Sequence, residues 1–208
     1  MSILDSIKKA FGSQKTDPVT ETSTASKELP ASFYIDTIEA DRVEKDRFFR
    51  TSPYSPIEDR ANFTELNYYP PDPTLRFELP LQEAEQVEEL TIQTSTDDEQ
   101  TYYRIGTVEF EIEGEAAKLA VYKSPHHDDL FLPFRDATSG QEAYGAGRYL
   151  EPAELGGGQL LVDFNLAYNP YCAYSEHYSC PLPPLENWLK VPIRAGEQDY
   201  SSSSKNAS

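Results

Sequence analysis

Residues 107–122, TVEFEIEGEAAKLAVY, constrain this chain more than any other stretch. Val108, Phe110 and Ile112 alternate with Glu109, Glu111 and Glu113. Beyond a Glu113-Gly114-Glu115 turn, Ala117, Leu119 and Val121 fall on one face. A period of two with acid outside and apolar inside predicts an antiparallel hairpin against a core. TLRFEL repeats the pattern, with Leu75, Phe77 and Leu79 facing one way. VEELTIQ, TYYRIG, DLFLPF, GRYL and QLLVDF add strands at short spacing, for seven or eight in all. The fold class expected is mainly β, an antiparallel sandwich or partly open barrel. Gly156-Gly157-Gly158 follows no strand-then-helix pattern and reads as a turn.

One or two helices are expected ahead of the strands. Residues 32–50 contain no Gly or Pro, and Tyr34, Ile35, Ile38, Phe48 and Phe49 supply apolar contacts. Ser52-Pro53 ends that helix, because the residue before proline is pushed to extended geometry. Ser55-Pro56-Ile57-Glu58 resembles a capping box and predicts a further helix of one or two turns. The chain thus divides into a flexible segment 1–31, a single mainly-β domain 32–197 and a tail 198–208. Within the first segment, Ile3, Leu4, Ile7 and Phe11 share a helical face opposite Lys8 and Lys9. That short helix is read as a frayed terminus. Its alternative is docking to a membrane surface or a partner groove, although so short a face buries little. Met1–Phe11 lacks the apolar core of an export signal and no run is long enough to span a bilayer, so a cytoplasmic location is expected.

Three segments carry long ordered motifs: LNYYPPDPTLRF (66–77), LFLPFRDATSGQEAYGAGRYLEP (130–152) and the stretch from DFNLAYNPYCAY to AGE (163–197). Together they resemble the domain of unknown function 1684, a family of bacterial and archaeal proteins, over about residues 43–197. Tyr171 and Trp188 depart from the residues common at those places. The resemblance implies candidate positions without implying a reaction.

On a strand QLLVDFN, Leu161, Asp163 and Asn165 share a face near the strand end, where side chains can line a pocket mouth. Arg148, on an adjacent GRYL strand, is the expected charge partner of Asp163, either as a clamp between strands or as a substrate-positioning pair. Glu142, Tyr144, Asn165 and Asn169 complete a polar pocket for a small polar ligand. The alternative is a hydrolase-like enzyme in the same pocket, with Asp163 as acid/base or Cys172 as nucleophile and Arg148 stabilising negative charge. A third reading is a scaffold docked by residues 1–11.

For Cys172 and Cys180 the readings rank as inert thiol, nucleophile, metal ligand and disulfide, in that order. No metal is expected at Cys172, His177 and Cys180, whose spacing fits no zinc module. His126-His127-Asp128-Asp129 reads as a solvated acidic loop. No GxGxxG, P-loop, HExxH or GxSxG is present, so no cofactor is expected. Oligomeric state is left open.

The net charge of -18, from 36 acidic and 18 basic side chains, sits on the body. Four acids balance four bases in residues 1–30, and one balances one in 198–208. A surface this negative repels phosphates, which argues against DNA or RNA as a partner. It suits a protein from a halophilic source, kept in concentrated salt where screening removes self-repulsion. The expected outcome is an unfolding midpoint that rises from low to molar KCl, measured by thermal melts at fixed pH. A midpoint that does not rise contradicts the reading.

Overall fold

The computed structural model describes residues 30–200. Among these residues one α-helix, α1 (Ala31–Thr51), precedes eight strands: β1 (Arg76–Pro80), β2 (Gln82–Gln93), β3 (Glu99–Ile112), β4 (Glu115–Lys123), β5 (Leu130–Phe134), β6 (Arg148–Leu150), β7 (Ala153–Gly156) and β8 (Gln159–Asp163). They form two antiparallel sheets, a five-stranded one in the order β2-β3-β4-β5-β6 and a three-stranded one in the order β1-β8-β7. The sheets do not close into a barrel. The amphipathic stretch 1–11 lies outside the described residues. Within them, no helix is long and apolar enough to cross a membrane.

The alternating hairpin folds as its pattern requires. Ile112 pairs with Glu115, leaving Glu113 and Gly114 as the turn, both at positive φ (54° and 82°). Two left-handed residues match the right-handed twist of the flanking strands. TYYRIG and TVEFEIE merge into the single strand β3, 14 residues long. Val108, Phe110, Leu119 and Val121 then meet Leu79, Leu160, Val162 and Phe164 of the smaller sheet in the main core. Phe164 is fully buried and lies 5.4 Å, centroid to centroid, from both Phe110 and Phe134. On the other face of the large sheet, Ile92, Tyr102, Ala120 and Tyr122 form a second, smaller cluster.

Helix α1 stops where Ser52 turns extended (φ -72°, ψ 138°) ahead of Pro53. The Ser55-Pro56 signal does not continue into a helix. Ser55 Oγ accepts from Ile57 N at 3.2 Å as an N-cap would, but it also donates to Phe49 O at 2.6 Å. Ile57 is buried with Phe49, Phe63 and Leu66. Burying that side chain outweighs one turn of helix, so the segment is a turn tied to the end of α1.

The strand neighbours correct a second expectation. β8 pairs with β1 and β7, with Arg76 opposite Asp163, whereas β6 pairs with β5. Arg148 and Asp163 therefore stand in different sheets. Phe164 joins three strands of core rings, so Phe164→Ala is expected to cost about 3–5 kcal/mol in urea denaturation. A cost below about 1 kcal/mol, the range of tolerated core swaps, contradicts this packing.

Candidate functional site

Arg148 opens β6 and is 1% exposed. Its guanidinium does not reach for Asp163. Nη1 donates to Ala195 O at 2.6 Å and Glu197 O at 2.9 Å, and Nη2 donates to Ile193 O at 2.8 Å. Nη1 thus takes the carbonyls on either side of the Gly196 turn and Nη2 takes the one at 193, so a single planar fork answers three acceptors. Asp136 completes the arrangement. Its Oδ1 lies 3.5 Å from Arg148 Nη2, and its Oδ2 accepts from Ile193 N at 2.6 Å. Burial lowers the Arg148 pKa, and Asp136 opposes that shift. The ring of Phe134 lies 5.2 Å from the guanidinium carbon. Arg148 thus adds to the backbone bonds of the C-terminal strap, Val191–Glu197, in which Tyr69 N donates to Gly196 O at 3.0 Å and Glu197 N donates to Ala167 O at 2.9 Å.

The strap ends on a buried carboxylate that sequence reasoning did not single out. Gly196 adopts φ +73°, and a Cβ there would stand 2.4 Å from Ala167 O. Only glycine fits, and the turn drops Glu197 inside at 1% exposure. Glu197 accepts from Lys45 Nζ, from Tyr174 OH and, at 2.9 Å, from Asn169 N. Lys45 comes from α1, with its ammonium 5.1 Å from the Tyr168 ring centroid. Ile38, Arg42, Lys45 and Phe49 are spaced 4, 3 and 4 apart, so two cations share the stripe that buries Ile38 and Phe49. Cations on the apolar stripe of a helix were the readable signal for a buried anion. Arg42 binds Tyr69 O at 2.8 Å and lies 4.5 Å from the Tyr68 ring centroid. Asn169 donates its amide to Gln198 O at 2.8 Å, so it shapes the strap.

Asp163 serves another junction. Its Oδ1 accepts from Asn165 N at 3.0 Å and Asn165 Nδ2 at 3.1 Å, and Tyr34 OH from α1 donates to both carboxylate oxygens at 2.8 Å. Arg76 Nε lies 3.8 Å away. Asn165 is saturated by Asp72, whose N donates to Oδ1 and whose O accepts from Nδ2, each at 2.7 Å. Burial, then the Asp163 carboxylate, hold the Tyr34 phenol well above its ordinary pKa. Asp163 and Asn165 do come together, but to close a turn against the helix.

The remaining candidates are only partly buried. Glu142 forms a fork with Arg194, at 2.9 Å to Nε and 2.7 Å to Nη2, which holds its carboxyl below the usual range. Tyr144 is half-buried and its OH stands 3.7 Å from Cys172 Sγ. Cys172 is also half-buried, Cys180 is buried, and both are free thiols. Cys172 N donates to Cys180 Sγ at 3.3 Å, and Cys180 N donates to Ser95 Oγ at 3.1 Å. Donors from Cys180, Tyr144 and Ser95 outweigh burial and pull the Cys172 thiol down to about 6. Its partner Cys180 is pushed up, chiefly by the same thiol–thiol bond. Burial and the Cys172 contact raise Tyr144, which keeps its proton.

His177 lies beside Glu58 at 3.6 Å, and both are largely exposed. Among the described residues no group of three His, Cys, Asp or Glu side chains is placed to hold a metal. Two overlapping open depressions, of about 310 and 370 Å3, lie on the face of β3 and β5 around Gln100, Tyr102, Ser124 and His126. Neither is lined by Arg148, Asp163 or Cys172.

These features define a two-sheet antiparallel β protein whose C-terminal strap is closed on a buried arginine and a buried glutamate. The chain belongs to the family described as protein of unknown function (DUF1684), whose model matches residues 61–198. It is similar to the solution NMR structure of an uncharacterised protein from Haloarcula marismortui, at 42% identity and a TM-score of 0.62. The likeness covers 80% of this chain and 95% of that one. No curated protein matches.

Removing one partner of a buried ion pair leaves an uncompensated charge, at about 3–5 kcal/mol. Glu197→Ala is therefore expected to cost that much in urea denaturation, and to cost less when Lys45 is already Met. Equal costs in both backgrounds mean that the pair is not coupled.

Proposed function

We propose that this protein acts on a small polar molecule at the rim formed by Tyr144 and Cys172, with the Cys172 thiolate as nucleophile. The observation that carries the reading is the position of Tyr144 OH, 3.7 Å from a half-buried, free Cys172 Sγ. A pocket between Arg148 and Asp163 gains no such support, since the two stand in different sheets and partners occupy the Arg148 Nη atoms and the Asp163 carboxylate. The same holds for Asn165. Those residues build the platform, and the rim keeps a reactive group within reach of solvent.

A preformed thiolate needs no general base, which suits a site without a histidine hydrogen bond to the sulfur. The Tyr144 hydroxyl points at the thiolate and can donate to a developing negative charge or a leaving group there. The acidic surface favours neutral or cationic reactants over anions. A cytoplasmic setting, where thiols stay reduced, belongs to the same proposal.

Alkylation of the native protein with iodoacetamide, a neutral reagent, tests it across pH. The rate at Cys172 is expected to rise with a midpoint near 6 instead of the ordinary 9.0, and to exceed the rate at Cys180. Tyr144→Phe removes one donor to the thiolate, so the midpoint moves upward. Labelling of Cys180 first, or of neither thiol before unfolding, overturns the proposal.

A further inference from the structure

The two thiols differ in access. Cys172 sits in the 3-10 turn Tyr171–Ala173, half-open to solvent. Cys180 is buried and its backbone is pinned to the β2–β3 turn. Ser95 N donates to Cys180 O at 2.9 Å, Leu182 N donates to Gln93 O at 2.7 Å, and Thr94 bridges Pro181. The segment between them carries Glu176 and His177, both exposed. Between its two anchored ends, Cys180 Sγ already accepts from the backbone N of Cys172 at 3.3 Å. An accessible sulfur beside a protected one is the arrangement that attack followed by resolution requires.

We propose that Cys172 and Cys180 form a redox-active dithiol that reduces a small hydroperoxide and closes to an intramolecular disulfide. The inference rests on the nucleophilic reading of Cys172 and adds a substrate class and a role for Cys180. In the first step the Cys172 thiolate attacks one peroxide oxygen and the O–O bond breaks. The other oxygen leaves as an alkoxide or hydroxide and takes a proton, with Tyr144 OH placed to donate it. Cys172 is then a sulfenic acid. In the second step the Cys180 sulfur gives up its proton and attacks the sulfenic sulfur. The S–O bond breaks, the hydroxyl leaves with that proton as water, and the S–S bond forms. Two thiols lose two electrons, and the peroxide gains them to become an alcohol, or water, plus water. Return to the dithiol requires an external dithiol reductant. A hydroperoxide suits the rim because it is small and uncharged, so neither the half-buried sulfur nor the acidic surface excludes it.

The test exposes the reduced full-length protein to hydrogen peroxide, quenches free thiols with iodoacetamide and reads intact mass. Wild type is expected to lose two hydrogens and both reactive thiols, and a dithiol reductant restores them. Cys180→Ser is expected to stop at the sulfenic acid, trapped as a dimedone adduct on Cys172, whereas Cys172→Ser forms neither product. The wild-type result stands alone should either variant fail to fold. If Cys172 alkylates as a thiolate but wild type accumulates sulfenic acid without a disulfide, the dithiol inference fails and the nucleophile reading survives. If Cys172 does not alkylate ahead of Cys180, the nucleophile reading fails first. If a low-molecular-weight disulfide such as cystamine oxidises the pair and peroxide does not, the hydroperoxide assignment is overturned.

Discussion

The guanidinium of Arg148 is the contact on which the rest of the C-terminal half depends. Three carbonyls of the strap, at 193, 195 and 197, converge on it, and Asp136 holds both the guanidinium and Ile193 N. Left without a donor, each of those buried carbonyls would cost about 1–3 kcal/mol. A planar cation with several donors answers all three acceptors. Its own burial lowers its pKa, so those carbonyls and Asp136 are also what make a charge tolerable there. Once the strap is in place, Gly196 turns Glu197 inward, and Glu197 fixes Lys45, Tyr174 and the Asn169 backbone. That buried ion pair joins the helix to the β body, alongside the bonds of Tyr34 to Asp163 and of Arg42 to Tyr69 O.

This arrangement separates structural chemistry from available chemistry. Asp163 and Asn165 look reactive as letters, yet they spend their polar atoms on backbone or on a neighbouring element, as do the Arg148 Nη atoms and the Asn169 amide nitrogen. Tyr144 and Cys172 face each other at the rim with weaker, longer contacts of 3.5 to 3.7 Å. Polar groups with short bonds to main chain rigidify a site. Groups left with long bonds and partial access can exchange those partners for a reactant. Cys180 extends that logic, since its burial and backbone pinning place a second sulfur where solvent does not compete.

The sequence made the strands legible because their signal is local. Alternation over 107–122 places the hairpin and its turn, and the absence of Gly and Pro over 32–50 places the helix. Strand neighbours were not legible, because GRYL and QLLVDF lie close in sequence yet join different sheets. That error made Asp163 the partner of Arg148. Asp136 was visible only as part of a turn, and it does bind Thr138 and Ser139 as such a turn would. Its second oxygen, which binds Ile193 N, depends on a contact 57 residues away. Glu197 was hidden for the same reason, since its cation lies 152 residues earlier. The Ser55-Pro56 motif supplied a real cap but no helix, because burying Ile57 competed with it. The motifs located the important residues, and only the tertiary packing assigned their partners.

Native-state hydrogen exchange on wild type and Arg148→Met tests the central claim most directly. The substitution removes the charge while keeping much of the side-chain volume. If Arg148 organises the strap, the amides of Ile193, Glu197 and Asn169 lose protection while those of the β3–β4 hairpin keep theirs. Unchanged protection across 191–197 would contradict the account, because the strap would then be held by something other than the arginine.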